Sequence, residues 1–281
     1  MSRIAIITDT SSDLLPERAK EKGITLVPLT VSFGSESWAA VTELSNEDFF
    51  EKLTAPGAPF PKTAAPSPAA FEAAYREALA AGADGVVCVT ISQKLSATYS
   101  SAVQGAEPFD DGQVEVFDSM TTTHSLAMMA TGAAELAAGG ATMAEVSAYV
   151  RDVRMRSGIY FSVDTLEYLQ KGGRIGRASA LLGSVLSIKP ILFVEDGAVA
   201  TADKKRTSAK ARARLLELAT ERPLERAVAL HTMTPGIEEF ADELAAASGL
   251  DRDDIEIGLV GPVAGTHVGP RMVGVALIRT A

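Results

Sequence analysis

The 281-residue chain has one cysteine, three histidines and one tryptophan, and the first two scarcities each close off a class of explanation. With Cys88 alone, no internal disulfide can form. It sits in the apolar run VVCVTI and reads as a buried small hydrophobe of a reducing compartment. His124, His231 and His267 lie far apart, and neither HExxH nor a paired-cysteine pattern occurs, so no metal is expected. Positive charge is the minority. The 26 Lys and Arg against 36 Asp and Glu give a net charge of -10, which argues against general nucleic-acid binding. No apolar run reaches the ~18 residues of a spanning helix. The first residues, MSRIAIITDTSSD, enter a strand pattern and meet Asp9 too soon for a signal-peptide core, so a cytoplasmic protein without a transmembrane segment is expected. Nucleotide loops are also missing: there is no GxxxxGK[ST], and no GxGxxG follows a strand.

What remains is ample material for a core. Hydrophobic residues make up 47% and charged ones 22%, and the length suits two ordinary domains. Short β-branched runs alternate with helical patterns, which predicts an α/β fold. RIAIITD, GITLVPLTVSF, DGVVCVTI and QVEVFDS read as strands. DLLPERAKEKG, SPAAFEAAYREALAAG, SATYSSAVQGAE and HSLAMMATGAAELAAGG read as helices, with Ser67-Pro68 as a helix start. A change of pattern near residue 156 divides the chain into domains 1–155 and 156–281. The second part reads as strand GIYFSVD, then a short helix DTLEYLQKGG capped by Asp164 and Glu167, then a short helix ASALLGSVLS. A hairpin turning at Asp196-Gly197 follows, then a basic helix TSAKARARLLELATE. RAVALHTM, DIEIGLVG and VGVALIRT read as further strands, with GIEEFADELAAASG a helix between the first two.

Three strands of the first half run into hydroxyl-rich turns, at Thr10-Ser11-Ser12, Ser92 to Ser96, and Ser119 to Thr123. If those strands are parallel, the turns share the carboxyl edge of the sheet, where ligands of open α/β folds bind. Ser96 reads as an N-cap. Capping would alone account for it, although the free N–H groups of a first helical turn also bind carboxylate or phosphate. In KGGRIGR, Arg174 and Arg177 offer planar donor forks for an anion, or Lys171 and Arg174 simply complement a helix end. His231, in an apolar strand, reads as a satisfied core residue, and nothing is assigned to His124. His267 stands apart in GPVAGTHVGPRMVG, where glycine and proline permit close approach to a ligand. A serine hydrolase pairing Ser96 with His267 stays open, without the GxSxG elbow to support it. Lys204, Lys205, Arg206, Lys210, Arg212 and Arg214 concentrate positive charge between residues 203 and 214, as a solvated face or as a surface for an acidic partner.

Taken together, IITDTSSDLLPE, PKTAAPSP, ISQKLSATYSSA, DTLEYLQKGGRIG and GPVAGTHVGP, in this order, resemble the DegV family. That family is similar to the fatty-acid-binding subunits of bacterial fatty acid kinases. The resemblance covers nearly the whole chain and implies a two-domain α/β fold, with a mainly parallel N-terminal sheet, a mixed C-terminal sheet and a lipid tunnel between them. It further implies that a long-chain fatty acid is held by hydroxyls of Thr63 and Ser96 and by amides near Ala97. Arg174 and His267 would stand beside its carboxylate and support phosphoryl transfer. ATP and magnesium would belong to a separate kinase partner docking on the basic segment, this chain having no cofactor of its own, and the product would be an acyl phosphate feeding phospholipid synthesis. A lipid sensor or store without a kinase is the remaining alternative. The chain departs from the family pattern at Ala97, where glycine is usual, at Ala64-Ala65, where Ser-Gln is frequent, and at Arg271, where glycine is usual.

Overall fold

A computed structural model of the chain describes residues 3–182 and 188–281. Strand β1 (Ile4–Asp9) is followed by a single 3-10 turn and helix α1 (Pro16–Glu21), which returns the chain to β2 (Ile24–Val27). The run GITLVPLTVSF is therefore two strands and not one. Pro28 has no N–H to give a ladder, and Leu29 N–H is taken by Thr10 Oγ1 at 2.9 Å, so the chain leaves the sheet there. It continues as β3 (Thr30–Phe33) and β4 (Glu36–Ala39), then α2 (Asn46–Thr54) and β5 (Lys62–Ala64). These strands form a small antiparallel sheet in the order β4-β3-β5.

Helix α3 (Pro68–Ala80) starts as its sequence predicts, with Ser67 accepting from Ala70 N–H and proline in the first turn. Then come β6 (Gly85–Thr90), α4 (Thr98–Ala106), β7 (Val114–Asp118), α5 (Thr123–Ala138) and α6 (Met143–Arg156). The four strands β2-β1-β6-β7 make one wholly parallel sheet. Phe71, Tyr75 and Ala102 of α3 and α4 pack on one face, with Cys88, whose thiol is pushed up to about 12 by burial. On the other face α5 is buried nearly all round, from Leu126 to Ala134, because it separates this sheet from the next.

That second sheet begins with β8 (Ser157–Ser162). The N-cap of helix α7 (Glu167–Lys171) is Leu166 and not Asp164; Thr165 Oγ1 accepts from Glu167 N–H at 3.1 Å, while Asp164 pairs with Lys189. The expected helix ASALLGSVLS is a 3-10 helix over Gly176–Leu181, and its residues 183–187 lie outside the described residues. Strands β9 (Lys189–Glu195) and β10 (Ala198–Lys205) form the expected hairpin, Asp196 and Gly197 both taking positive φ as its turn requires. Then follow α8 (Ser208–Ala219), β11 (Leu224–His231), α9 (Ile237–Ser248), β12 (Glu256–Leu259), α10 (Pro262–Val268) and β13 (Val273–Arg279). The mixed sheet has the order β10-β9-β8-β13-β11-β12, with only β11 and β12 parallel. Helices α8 and α9 cover its outer face through Leu215, Phe240 and Leu244.

Candidate functional site

The parallel sheet fixes where a ligand can sit. From β1 the chain steps outward to β2 on one side, while the later strands β6 and β7 lie on the other, so the direction of winding reverses between β1 and β6. Asp9 ties the carboxyl ends of these two strands together: its carboxylate accepts from Ser11 N–H at 2.9 Å and Ile91 N–H at 2.8 Å. Burial pushes the Asp9 carboxyl up, against the pull of those hydrogen bonds. All three hydroxyl-rich turns do lie at this edge, as parallel pairing of β1, β6 and β7 demands.

Above the edge runs a narrow slot between the two larger sheets. Its apolar wall comes from Leu29, Ile91, Ile159, Phe161, Leu230 and Met272, among others. Its polar atoms come from Thr63, Ser96, Thr122, Thr123, Arg174 and His267. The structure thus brings together four of the site residues expected from sequence, contributed by β5, the turn before α4, the segment after α7, and α10.

Their contacts are specific. Thr63 Oγ1 and His267 Nε2 are 3.1 Å apart. Arg174 donates from Nε to Leu95 O at 3.0 Å and from Nη1 to Gly172 O at 2.8 Å, and has no carboxylate partner among the described residues. His267 Nδ1 is buried without a hydrogen-bond partner. The ring fits only because residue 172 is glycine, since a Cβ there would lie 2.2 Å from His267 Nδ1. Burial and, secondarily, the Arg174 cation lower the His267 pKa from 6.5 to about 4, so the imidazole is neutral.

Several expectations are revised by this geometry. Ser96 is not the N-cap. Ala97 holds that position, because a turn closed by Ser96 N–H on Ser92 O precedes the helix. Ser96 Oγ lies 2.8 Å from Thr98 Oγ1 and accepts from Thr98 N–H at 3.3 Å. It makes no hydrogen bond with His267, so the structure holds no Ser96–His267 pair poised for hydrolysis. Ala97 is exposed and does not line the slot. The glycine- and proline-rich segment carrying His267 forms a helix, with Pro262 in its first turn. His231 is half-buried with Nδ1 unpartnered, so it is not a satisfied core residue. Arg177 does pair with carboxylates, but with those of Glu195 at 2.9 Å and Asp196 at 3.5 Å. Arg271 has φ 65°, a backbone conformation that favours glycine.

The basic segment lies on β10 and α8, apart from the slot. Lys205 and Arg214 both pair with Asp203, whose carboxyl they and the Lys204 amide bring down to about 2. Arg212 pairs with Glu243. Lys204, Arg206 and Lys210 are exposed and have no carboxylate partner among the described residues. No group of three or more His, Cys, Asp or Glu that could hold a metal occurs among the described residues, and no helix there is long and apolar enough to cross a membrane.

The family model described as "Uncharacterised protein, DegV family" matches residues 3–280. A DegV domain-containing protein of Halalkalibacterium halodurans is 35% identical over 281 residues, covering 98% of each chain. One from Streptomyces coelicolor is 38% identical, covering 99% of each. Among solved structures, a fatty-acid-binding DegV family protein from Thermus thermophilus superposes with a TM-score of 0.90 at 35% identity, covering 99% of this chain and 100% of that one. DegV of Bacillus subtilis, described as a fatty acid binding protein, gives 0.86 at 29% identity and full coverage, 100% of each chain. A stearic-acid-binding protein from Eubacterium ventriosum gives 0.87 at 25% identity, covering 99% of this chain and 98% of that one. The sheets, the slot and the residues gathered in it thus sit in a chain that belongs to the DegV family.

Proposed function

We propose that this protein binds a long-chain fatty acid in the slot, its carboxylate at Thr63, Ser96, Arg174 and His267, its alkyl chain along the apolar wall. The single observation that carries this reading is the composition of the slot: a narrow apolar bore in which these polar groups converge. Each buried methylene contributes about 0.8 kcal/mol, so an apolar slot of this kind can hold an alkyl chain tightly. The Arg174 cation has no carboxylate of its own among the described residues, and an incoming one would supply its charge-assisted partner. The fatty-acid-binding relatives support the same ligand class. Residues 1–155 and 156–281 are the two domains that clasp it.

The protein then presents the carboxylate to an ATP-dependent kinase partner. A carboxylate oxygen attacks the γ-phosphorus of ATP held by the partner, ADP leaves, and an acyl phosphate results. Arg174 stabilises the charge gathering on the transferring group, while neutral His267 positions Thr63. The partner seats on the basic segment, where Lys204, Arg206 and Lys210 have charge to spare and Lys205, Arg212 and Arg214 are held in internal ion pairs. Catalysis belongs to the partner, and this chain is a substrate carrier. The test is Arg174→Ala with the kinase present. Acyl phosphate formation should fall by orders of magnitude while fatty acid affinity falls less; equal loss of both would contradict the assigned role.

A further inference from the structure

A second cavity, of about 680 Å³, shares no lining residue with the slot. It is bounded by the segment after β1, the start of α2, one face of α5, and β11 and β12. Its floor holds polar atoms without partners. The Asp13 side chain is fully buried, yet neither carboxyl oxygen has a hydrogen-bond partner among the described residues, and the same holds for Asn46 Oδ1 and His124 Nδ1. His124 Nδ1 is 3.9 Å from Asp13 Oδ2, too far to serve. The Gly261 amide approaches closely enough to favour the ionised carboxyl, but outside hydrogen-bond geometry. Burial dominates and pushes the Asp13 carboxyl well up.

Leaving buried acceptors unmet costs about 1–3 kcal/mol each, so such a cluster beside a cavity points to a ligand that donates. The charge around the cavity gives the ligand's sign. Glu47, Glu225, Asp254 and Glu256 line it, beside the buried Asp13, against Arg18 and Arg226. Arg18 already pairs with Glu256, Arg226 with Glu135, and Glu225 with Arg156. Burial keeps His124 neutral, lowering its pKa to about 4. Asp13, Glu47 and Asp254 are thus without a cation among the described residues, and the donor set does not suit a divalent metal. The remaining wall, including Leu14, Ala127 and Met128, is apolar.

We propose that this cavity binds a small aliphatic primary amine as its ammonium, its alkyl body against Leu14, Ala127 and Met128 and its N–H donors directed at Asn46 Oδ1 and at the Asp13 carboxyl, which gives up its proton to solvent as the cation enters. An ammonium has a donor for each of these oxygens, and the acidic mouth attracts it. The site is independent of fatty acid binding. The test is a titration of the full chain with n-butylammonium chloride, followed by NMR, against tetramethylammonium and sodium chloride at equal ionic strength. Saturable shifts centred on Asp13, Asn46 and His124, seen with n-butylammonium alone, are expected. Asp13→Asn should weaken binding at least about tenfold. Gly261→Ala provides a second variant, since its Cβ would lie 2.6 Å from Asp13 Oδ1 and 3.0 Å from Asn46 Oδ1, at a backbone φ of -81° that alanine accepts. Undiminished binding in either folded variant overturns the proposal. So do equal shifts with tetramethylammonium, which has no N–H to donate, or shifts confined to the slot, which would show only the alkyl chain partitioning there.

Discussion

Ser96 and His267 show how much one side chain's role depends on its partners. Ser96 Oγ lies against Thr98 Oγ1 and lines the slot, and the proposed binding has its O–H donate to the fatty carboxylate. Ser96→Ala is expected to weaken fatty acid binding by about 1.5–3 kcal/mol, roughly ten- to a hundredfold in Kd. A displacement titration reads this directly, and an unchanged Kd would leave Ser96 as no more than a local turn residue. His267 makes a second prediction, in pH. Its folded pKa of about 4 lies below the ordinary 6.5. The unfolded chain therefore takes up the proton first as pH falls. The stability that neutral His267 carries is complete above about pH 6.5 and is lost toward pH 4, at up to about 1.4 kcal/mol for each pH unit. Buried Asp9 and Asp13, with raised pKa values, pull the other way, so the readout is a difference. Thermal melts of lipid-free protein should show a shallower loss between pH 7 and 5 in His267→Gln than in the natural sequence; parallel curves would refute it. The residue types were legible at this scale, because scarce histidine and hydroxyl clusters stand out in any chain. Their contacts were not. The Thr63–His267 contact joins residues 204 apart, and Gly172, whose missing Cβ admits the imidazole, reads in sequence only as a helix stop.

Among the elements, strands and helices with strong periodicity or clear caps emerged as expected, from β1 and α3 to the β9–β10 hairpin. The departures have local causes. Pro28 breaks one apolar run into β2 and β3, which join different sheets, and no pattern of hydrophobicity marks such a break. The short edge strand β5 was hidden because three residues carry no period. Helix α10 was hidden by its glycine and proline content, which tertiary packing overrides: Val263 is buried against Phe49 and Phe50 of α2. One contact links two of the expected elements. Ser92, two residues past the end of β6, donates from Oγ to Gly197 O at 2.7 Å in the turn of the β9–β10 hairpin, wholly out of solvent. Ser92→Ala strands that carbonyl and should cost about 1–3 kcal/mol, a fall of several degrees in Tm. A Tm within one degree of the parent would show that the hairpin does not depend on this tether.

At the scale of the whole molecule, composition and alternation were enough to place the chain among α/β folds, and the order of five motifs pointed to its family. They could not give the arrangement of layers. Helix α5 is buried between a parallel and a mixed sheet, and the slot exists because those sheets meet over the point where winding reverses. Apolar side chains that line a lipid look the same in sequence as those that pack on protein, so the bore itself had no signature. The central claim is that this bore carries one fatty acid. Native mass spectrometry of the purified protein, followed by organic extraction and lipid identification, tests it most directly. One long-chain fatty acid per chain is the predicted result; a protein that is empty and refuses added fatty acids would contradict the account.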